Sequence, residues 1–214
     1  QAQAESASWK VGVLLCLTGG CAEPGNNALN GIKLAAEEIN HSGGVLGRKI
    51  ELVVEDTREA ESAANSVAGY QKLALDKDIQ YIIGPTWTIG GLGIAPIVAK
   101  RKDLIMVSPS LGVADFNEAG DHLFNIWPHD SYSTEGLAAY AMNHGWKTAA
   151  VLSNQGPWES VQAKVFADAF KKLGGQVVAY EEPLASVMDL KAEALRIKSK
   201  NPQVVFMSNY TQMD

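Results

Sequence analysis

Short apolar runs of strand length alternate along this chain with longer segments of helical spacing, and that alternation limits its possible folds more than any other feature. Val11–Leu15 reads as a strand. Ala28–Asn40 places Leu29, Ile32, Ala35, Ala36 and Ile39 at helical spacing and closes at Ser42-Gly43-Gly44, a helix-stop signal. The alternation continues with a strand at Lys49–Glu55, a helix at Ala60–Leu75, a strand at Ile79–Ile83, a helix at Ile94–Arg101 and a strand at Leu104–Val107. Strands separated by helices pair in parallel, with the helices covering the sheet. The expected class is therefore α/β with parallel sheets.

The order then begins again. Trp146–Leu152 echoes Trp9–Leu15, and Asn201–Phe206 echoes Asp78–Ile83. Between them lie a helix at Glu159–Leu173 closed by Gly174-Gly175, a strand at Gln176–Tyr180 and a helix at Leu190–Ser199. Two echoes at similar offsets suggest two lobes of one topology. The expected division is a flexible leader at 1–8, an N-terminal lobe at 9–124, a hinge crossover at 125–132 and a second lobe at 133–214. Pro128 interrupts the hinge segment NIWPHDSY. The second lobe has few strands and would leave a sheet edge open, so a truncated lobe, completed by further chain or by a partner, is expected. The opening QAQAESAS carries no Met and suggests a processed or recombinant start.

The composition narrows the function. The formal charge of −6 argues against nucleic acid and anionic membrane surfaces, which need a basic patch. No run is long and apolar enough for a membrane span. Cys16 and Cys21 share a glycine-bearing loop. Both a disulfide in an oxidising compartment and two reduced thiols fit their spacing. Two thiols are too few ligands for a metal, and the four histidines show no ligand spacing to them. No metal and no cofactor are expected.

The loops that follow strands are chemically alike. Cys16–Asn27, Gly84–Gly93, Ser108–Gly112 and Ser153–Trp158 are rich in Gly, Ser, Thr and Asn. In an open parallel sheet such loops gather at the carboxyl ends of the strands, where ligands bind. Glycines admit a ligand close to the backbone, and the next helix points its unpaired N–H groups there. The hydroxyls of Thr88 and Ser110 add donors. Together these suit a carboxylate, although in any one loop the same residues serve as caps and turns.

In order and spacing, VGVLLCLTGG, LNGIKLAAEEINHSGGVLGRKIELVVEDT, YIIGPTWT and LIMVSPS resemble the type I periplasmic solute-binding proteins of ABC transporters, in the leucine/isoleucine/valine-binding protein group. The likeness runs from Trp9 to Asp214 and implies a two-lobed type I periplasmic-binding-protein fold. It further implies an extracytoplasmic protein, periplasmic or secreted with its signal peptide removed. Such a protein closes over a small solute, such as an amino acid, and docks on a membrane permease. By position, Thr88 corresponds to the family's hydroxyl ligand of the carboxylate, and Ser110 and Gly112 fall in the second carboxylate loop. Trp158 and Tyr210 stand where the branched-chain binders carry tyrosines. Four features depart from the pattern. Pro24 replaces an aromatic, Gly112 replaces a threonine, the acidic residue that pairs with the ligand ammonium would lie beyond Asp214, and the cysteine positions differ. A pocket enlarged at Pro24 and Gly112, with Trp87 and Trp158 nearby, would suit an aromatic or bulkier acid.

Two other classes were weighed. An enzyme fits poorly, because Pro96 breaks the dinucleotide pattern that begins at Gly91, and neither a GxSxG elbow nor a phosphate-binding GxxxxGK[ST] loop occurs. A ligand-sensing receptor domain of the same fold is the alternative to transport.

Overall fold

A computed structural model describes residues 8–60 and 62–208. Expectations that fall on residues 1–7 and on Tyr210 lie outside the described residues. The chain divides into two compact units, Gln1–Pro128 and His129–Asp214, with the boundary inside the Asn125–Tyr132 segment.

The first unit is a five-stranded sheet in the order β2-β1-β3-β4-β5. Its strands are β1 (Trp9–Leu15), β2 (Ile50–Asp56), β3 (Tyr81–Ile83), β4 (Ile105–Ser108) and β5 (Leu123–Asn125). Every pairing is parallel. β1 is paired on both sides, and Val13, Leu14 and Leu15 are wholly buried. A strand covered on both faces needs this continuous apolar run rather than alternation. The helices are α1 (Ala22–His41), α2 (Ala63–Leu75), α3 (Thr88–Val98) and the single turn α4 (Asp115–Glu118). Ser62 caps α2, its hydroxyl accepting the Ala64 N–H at 3.1 Å.

The second unit opens with α5 (Asp130–Asn143) and continues β6 (Thr148–Ser153), α6 (Glu159–Lys172), β7 (Gln176–Glu181), α7 (Lys191–Ser199) and β8 (Val204–Ser208). Its parallel sheet has the order β7-β6-β8. The core gathers Phe166 and Phe170 of α6, Phe206 of β8, Val151 of β6, and Ala138 and Ala141 of α5. The arrangement β7-β6-β8 repeats β2-β1-β3: a central strand flanked by the second and third strands of its unit. The sequence echoes therefore fall on equivalent strands, β1 with β6 and β3 with β8.

Two helices start earlier than the sequence suggests. α1 begins at Ala22, within the segment read as the Cys16–Asn27 loop, and α3 begins at Thr88, within the segment read as the Gly84–Gly93 loop. Glycine is a poor helix former, but in α3 the missing side chains let other groups in. A Cβ at Gly90 would overlap Glu59 Oε2, one at Gly91 would meet Leu111 Cδ1 at 2.6 Å, and one at Gly93 would meet Ala63 Cβ at 2.8 Å. β5, α4 and α5 were not anticipated. β5 and α4 are very short. α5 buries only Thr134, Ala138 and Ala141 while Leu137 and Tyr140 are exposed, so it shows no clean apolar stripe. Among the described residues no helix is long and apolar enough to cross a membrane.

Candidate functional site

In the first unit the segments that follow β1, β2, β3 and β4 converge on Thr86, which is buried. Its hydroxyl accepts the Cys16 N–H at 2.9 Å. Its own N–H donates to Glu59 Oε1 at 2.8 Å. Its carbonyl accepts the Ser110 hydroxyl at 2.5 Å. One residue thus ties four strand ends together. Gly84 permits the approach: it takes φ +138°, and a Cβ there would overlap the Leu14 carbonyl oxygen.

Three further groups close the arrangement. Cys16 and Cys21 form a disulfide with their Cα atoms 5.7 Å apart, and Cys21 Sγ accepts the Ala60 N–H at 3.3 Å. Of the two cysteine readings, the bonded one holds. Asp56 accepts the Leu17 N–H at 2.9 Å, the Thr18 hydroxyl at 2.5 Å and the Arg58 N–H at 3.1 Å. Burial pushes its pKa up, but these donors outweigh burial and hold it below the ordinary carboxylate value. Ser108 donates to the Pro85 carbonyl at 2.8 Å and accepts the N–H groups of Ser110 and Leu111 at 3.3 and 3.1 Å.

Glu59 is completely buried. Its Oε1 also accepts the Trp87 N–H at 2.9 Å, and its Oε2 accepts the Ser66 hydroxyl at 3.3 Å. Burial disfavours the charged form, and although the N–H donors favour it, the carboxyl is pushed up to about 7. Glu59 therefore sits where an anion binds at a helix N-terminus, held by the two N–H groups just ahead of α3. The first helical bond of α3 runs from the Gly91 N–H to the Trp87 carbonyl. The N–H groups of Thr88, Ile89 and Gly90 precede it and have no partner within the helix.

The first unit brings four of the sequence-derived candidates to this end of the sheet. Trp87 is the N-cap of α3 and is half-buried. Thr88, the first helical residue, is buried. Ser110 is half-buried with its proton committed to Thr86, so it offers an incoming group an acceptor rather than the donor expected of it. Gly112 is buried in the segment after β4. Trp158 belongs to the second unit, where it is the N-cap of α6 and its indole N–H donates to Asp130 Oδ2 at 2.7 Å. That bond fixes the ring to the first turn of α5. Glu23 and Pro24 are exposed in the first turn of α1. Among the described residues no cluster of three or more metal-ligating side chains occurs.

Sequence reasoning passed over Glu59 and Thr86. Thr86 stands in a loop singled out above, but the hydroxyl favoured there is two residues later, at Thr88. Glu59 is one acid among several in EDTREAE, and no local pattern marks which of them turns inward.

Comparison with known proteins identifies the family. The model of the periplasmic binding protein family matches residues 8–213. The Leu/Ile/Val-binding protein BraC3 of Rhizobium johnstonii is 28% identical over 210 residues, covering 94% of this chain and 54% of the relative. The structure of the leucine-binding protein LivK from Thermotoga maritima superposes with a TM-score of 0.81 at 27% identity, over 92% of this chain and 55% of that one. An R. palustris solute-binding protein in complex with 4-hydroxybenzoate gives 0.82 at 25% identity, over 94% of this chain and 54% of that one. The chain spans about half the length of the curated relatives it matches. Parallel sheets flanked by helices, two units of repeated topology and a match along nearly the whole sequence lead to one conclusion: this chain belongs to the periplasmic binding protein family.

Proposed function

We propose that this chain is part of the extracytoplasmic solute-binding component of an ABC uptake transporter, and that its solute is a small carboxylate-bearing molecule, foremost a branched-chain or other amino acid. The observation that carries the reading is the convergence of four strand ends on Thr86 beside the unpaired first turn of α3. In this reading the N–H groups of Thr88, Ile89 and Gly90, with the Thr88 hydroxyl, receive the carboxylate. Ser110 and Gly112 form the neighbouring wall, Trp87 and Trp158 cover the apolar part, and Tyr210 adds a further aromatic. The segment Asn125–Tyr132 serves as the hinge. Binding needs no bond-making, and no cofactor or metal enters. The Cys16–Cys21 disulfide suits an oxidising compartment such as the periplasm. The downstream partner is a membrane permease. Micromolar affinity requires about 8 kcal/mol, which charge-assisted bonds at a helix end and aromatic burial supply.

A second reading gives the site an aromatic acid. It is favoured by the half-buried indoles of Trp87 and Trp158, and by the R. palustris protein solved with 4-hydroxybenzoate. Thermal-shift screening of the full-length protein separates the two, because a solute that binds only the folded state raises the melting temperature. A response to L-leucine and its aliphatic relatives supports the first reading. A response confined to hydroxybenzoates supports the second. No response to any amino acid or carboxylate would sink both and favour a sensing role.

A further inference from the structure

Among the described residues Glu59 is the only carboxylate in the fully buried class, and no cation answers it. The elements packed around it carry little charge. α3 has no charged side chain, and the one charged residue of α2, Lys72, binds Glu55 at 3.0 Å. The segments after β3 and β4 that reach Thr86 are uncharged from Gly84 to Trp87 and from Ser108 to Ala114. In the loop that holds Glu59, the Asp56 carboxylate is occupied by Leu17, Thr18 and the Arg58 N–H, and Arg58 is exposed. In α1, Glu23 is exposed. A buried carboxyl group without a counter-charge is expensive unless its hydrogen bonds do something useful.

We infer that Glu59 is a positioning residue of the proposed solute site: its carboxyl group fixes the backbone of Thr86 and Trp87, aims the first-turn N–H groups of α3, and when ionised competes with the solute's carboxylate for that helix end. The inference rests on the solute-binding reading above.

Three observations meet in it. The two bonds from Thr86 and Trp87 hold the chain immediately ahead of the unpaired N–H groups. Gly90, in the first turn of α3, has no side chain where Glu59 Oε2 lies, so the helix is built to admit the carboxyl. Both sides of the contact are pinned to the same disulfide: Ala60, next to Glu59, donates to Cys21 Sγ, and Thr86 accepts from Cys16. With burial raising its pKa to about 7, Glu59 is present in both forms near neutral pH. The neutral form leaves the positive end of α3 to the solute. The ionised form places a like charge beside it, and like charges at one site raise each other's cost.

The consequence is a pH-dependent affinity. For L-leucine or 4-hydroxybenzoate, each with its carboxylate ionised across the range, affinity should fall on the order of tenfold between pH 5.5 and pH 8.5, equivalent to one unit of coupled pKa shift. Glu59→Gln keeps an acceptor for Thr86 and Trp87 but removes the charge, so its affinity should be the same at both pH values. Glu59→Ala removes the acceptor as well and should weaken binding at both. Calorimetric titration of the full-length protein and both variants with the two solutes reads these outcomes. A solute-free readout stands beside it. The amide resonances of Thr86 and Trp87 should titrate together near pH 7 in the wild type and stay fixed in Glu59→Gln. Equal pH dependence of wild type and Glu59→Gln, or amides that do not titrate, overturns the inference. If neither solute binds the wild type, the solute-binding reading fails, and the amide titration alone decides whether Glu59 governs the start of α3.

Discussion

The two units share an arrangement of strands but fasten the end of the central strand by different chemistry. At the end of β1 the first unit uses a disulfide, a buried carboxyl group and the hub residue Thr86. At the end of β6 the second unit uses hydroxyls and an amide: Ser153 donates to the Ser208 carbonyl at 3.2 Å, Ser208 reaches Ser153 Oγ and the Glu159 carbonyl, each at 3.1 Å, and Gln155 Nε2 donates to the Glu182 carbonyl at 3.0 Å. The cores differ as well. The first is largely aliphatic around β1. The second stacks Phe166 on Phe206 at 4.3 Å between ring centroids and places Phe170 at 5.6 Å from Phe166. One topology tolerates both solutions, and among the described residues the disulfide and the fully buried carboxyl group both belong to the first unit.

The comparison breaks most sharply in the aromatic core. Phe166→Ala should destabilise the second unit by about 4 kcal/mol, because a cavity among stacked rings collapses poorly. Hydrogen exchange should accelerate in β6 and β8 while β1 keeps its protection. Equal acceleration in both units would show that they do not unfold separately.

The next effect belongs to Glu59. Its folded-state pKa is raised from 4.5 to about 7, so its contribution to stability is fully present below pH 4.5 and is lost as pH rises through about 7. The loss amounts to about 3 kcal/mol, the shift converted at the usual rate. The difference between wild type and Glu59→Gln in urea denaturation at pH 5 and pH 8 isolates it, and exchange from β1 should carry the change. A pH-independent difference would contradict the assignment.

Reduction of Cys16–Cys21 ranks third. The bridge closes a short loop, with a sequence separation of 5, and should contribute about 2 kcal/mol to the first unit. Melting with and without reductant, beside a Cys16→Ala/Cys21→Ala variant, measures it; the second unit should be unmoved. The smallest effect is at the exposed Lys164–Asp168 pair on α6, 2.6 Å apart. Lys164→Ala should leave the melting temperature almost unchanged, and what effect it has should shrink in high salt.

What could be read from the sequence follows from where the information sits. Val11–Leu15 and Trp146–Leu152 announced themselves because a strand buried on both faces must be apolar throughout, and Ser42-Gly43-Gly44 because a helix stop is local. The start of α3 was hidden because its glycines answer to Glu59, Leu111 and Ala63, which are distant in sequence. The same distance hid Glu59, whose burial is decided by a helix that begins at residue 88. α5 escaped notice because it buries alanines and a threonine and exposes Leu137 and Tyr140, the reverse of the usual signal. Site candidates chosen loop by loop gather at one end of the first sheet, but that choice could not foresee the hydrogen bond that turns the Ser110 hydroxyl toward Thr86.

The chain's 2 cysteines are both consumed in one bridge, and no free thiol remains. Within this chain no thiol is then open to maleimides under non-reducing conditions. New cysteines at exposed Lys102 in the first unit and Lys172 in the second would be this chain's two labelling points for a dye pair. Energy transfer between them would then test the proposed solute binding optically: a change on adding L-leucine supports it, and an unchanged signal counts against it.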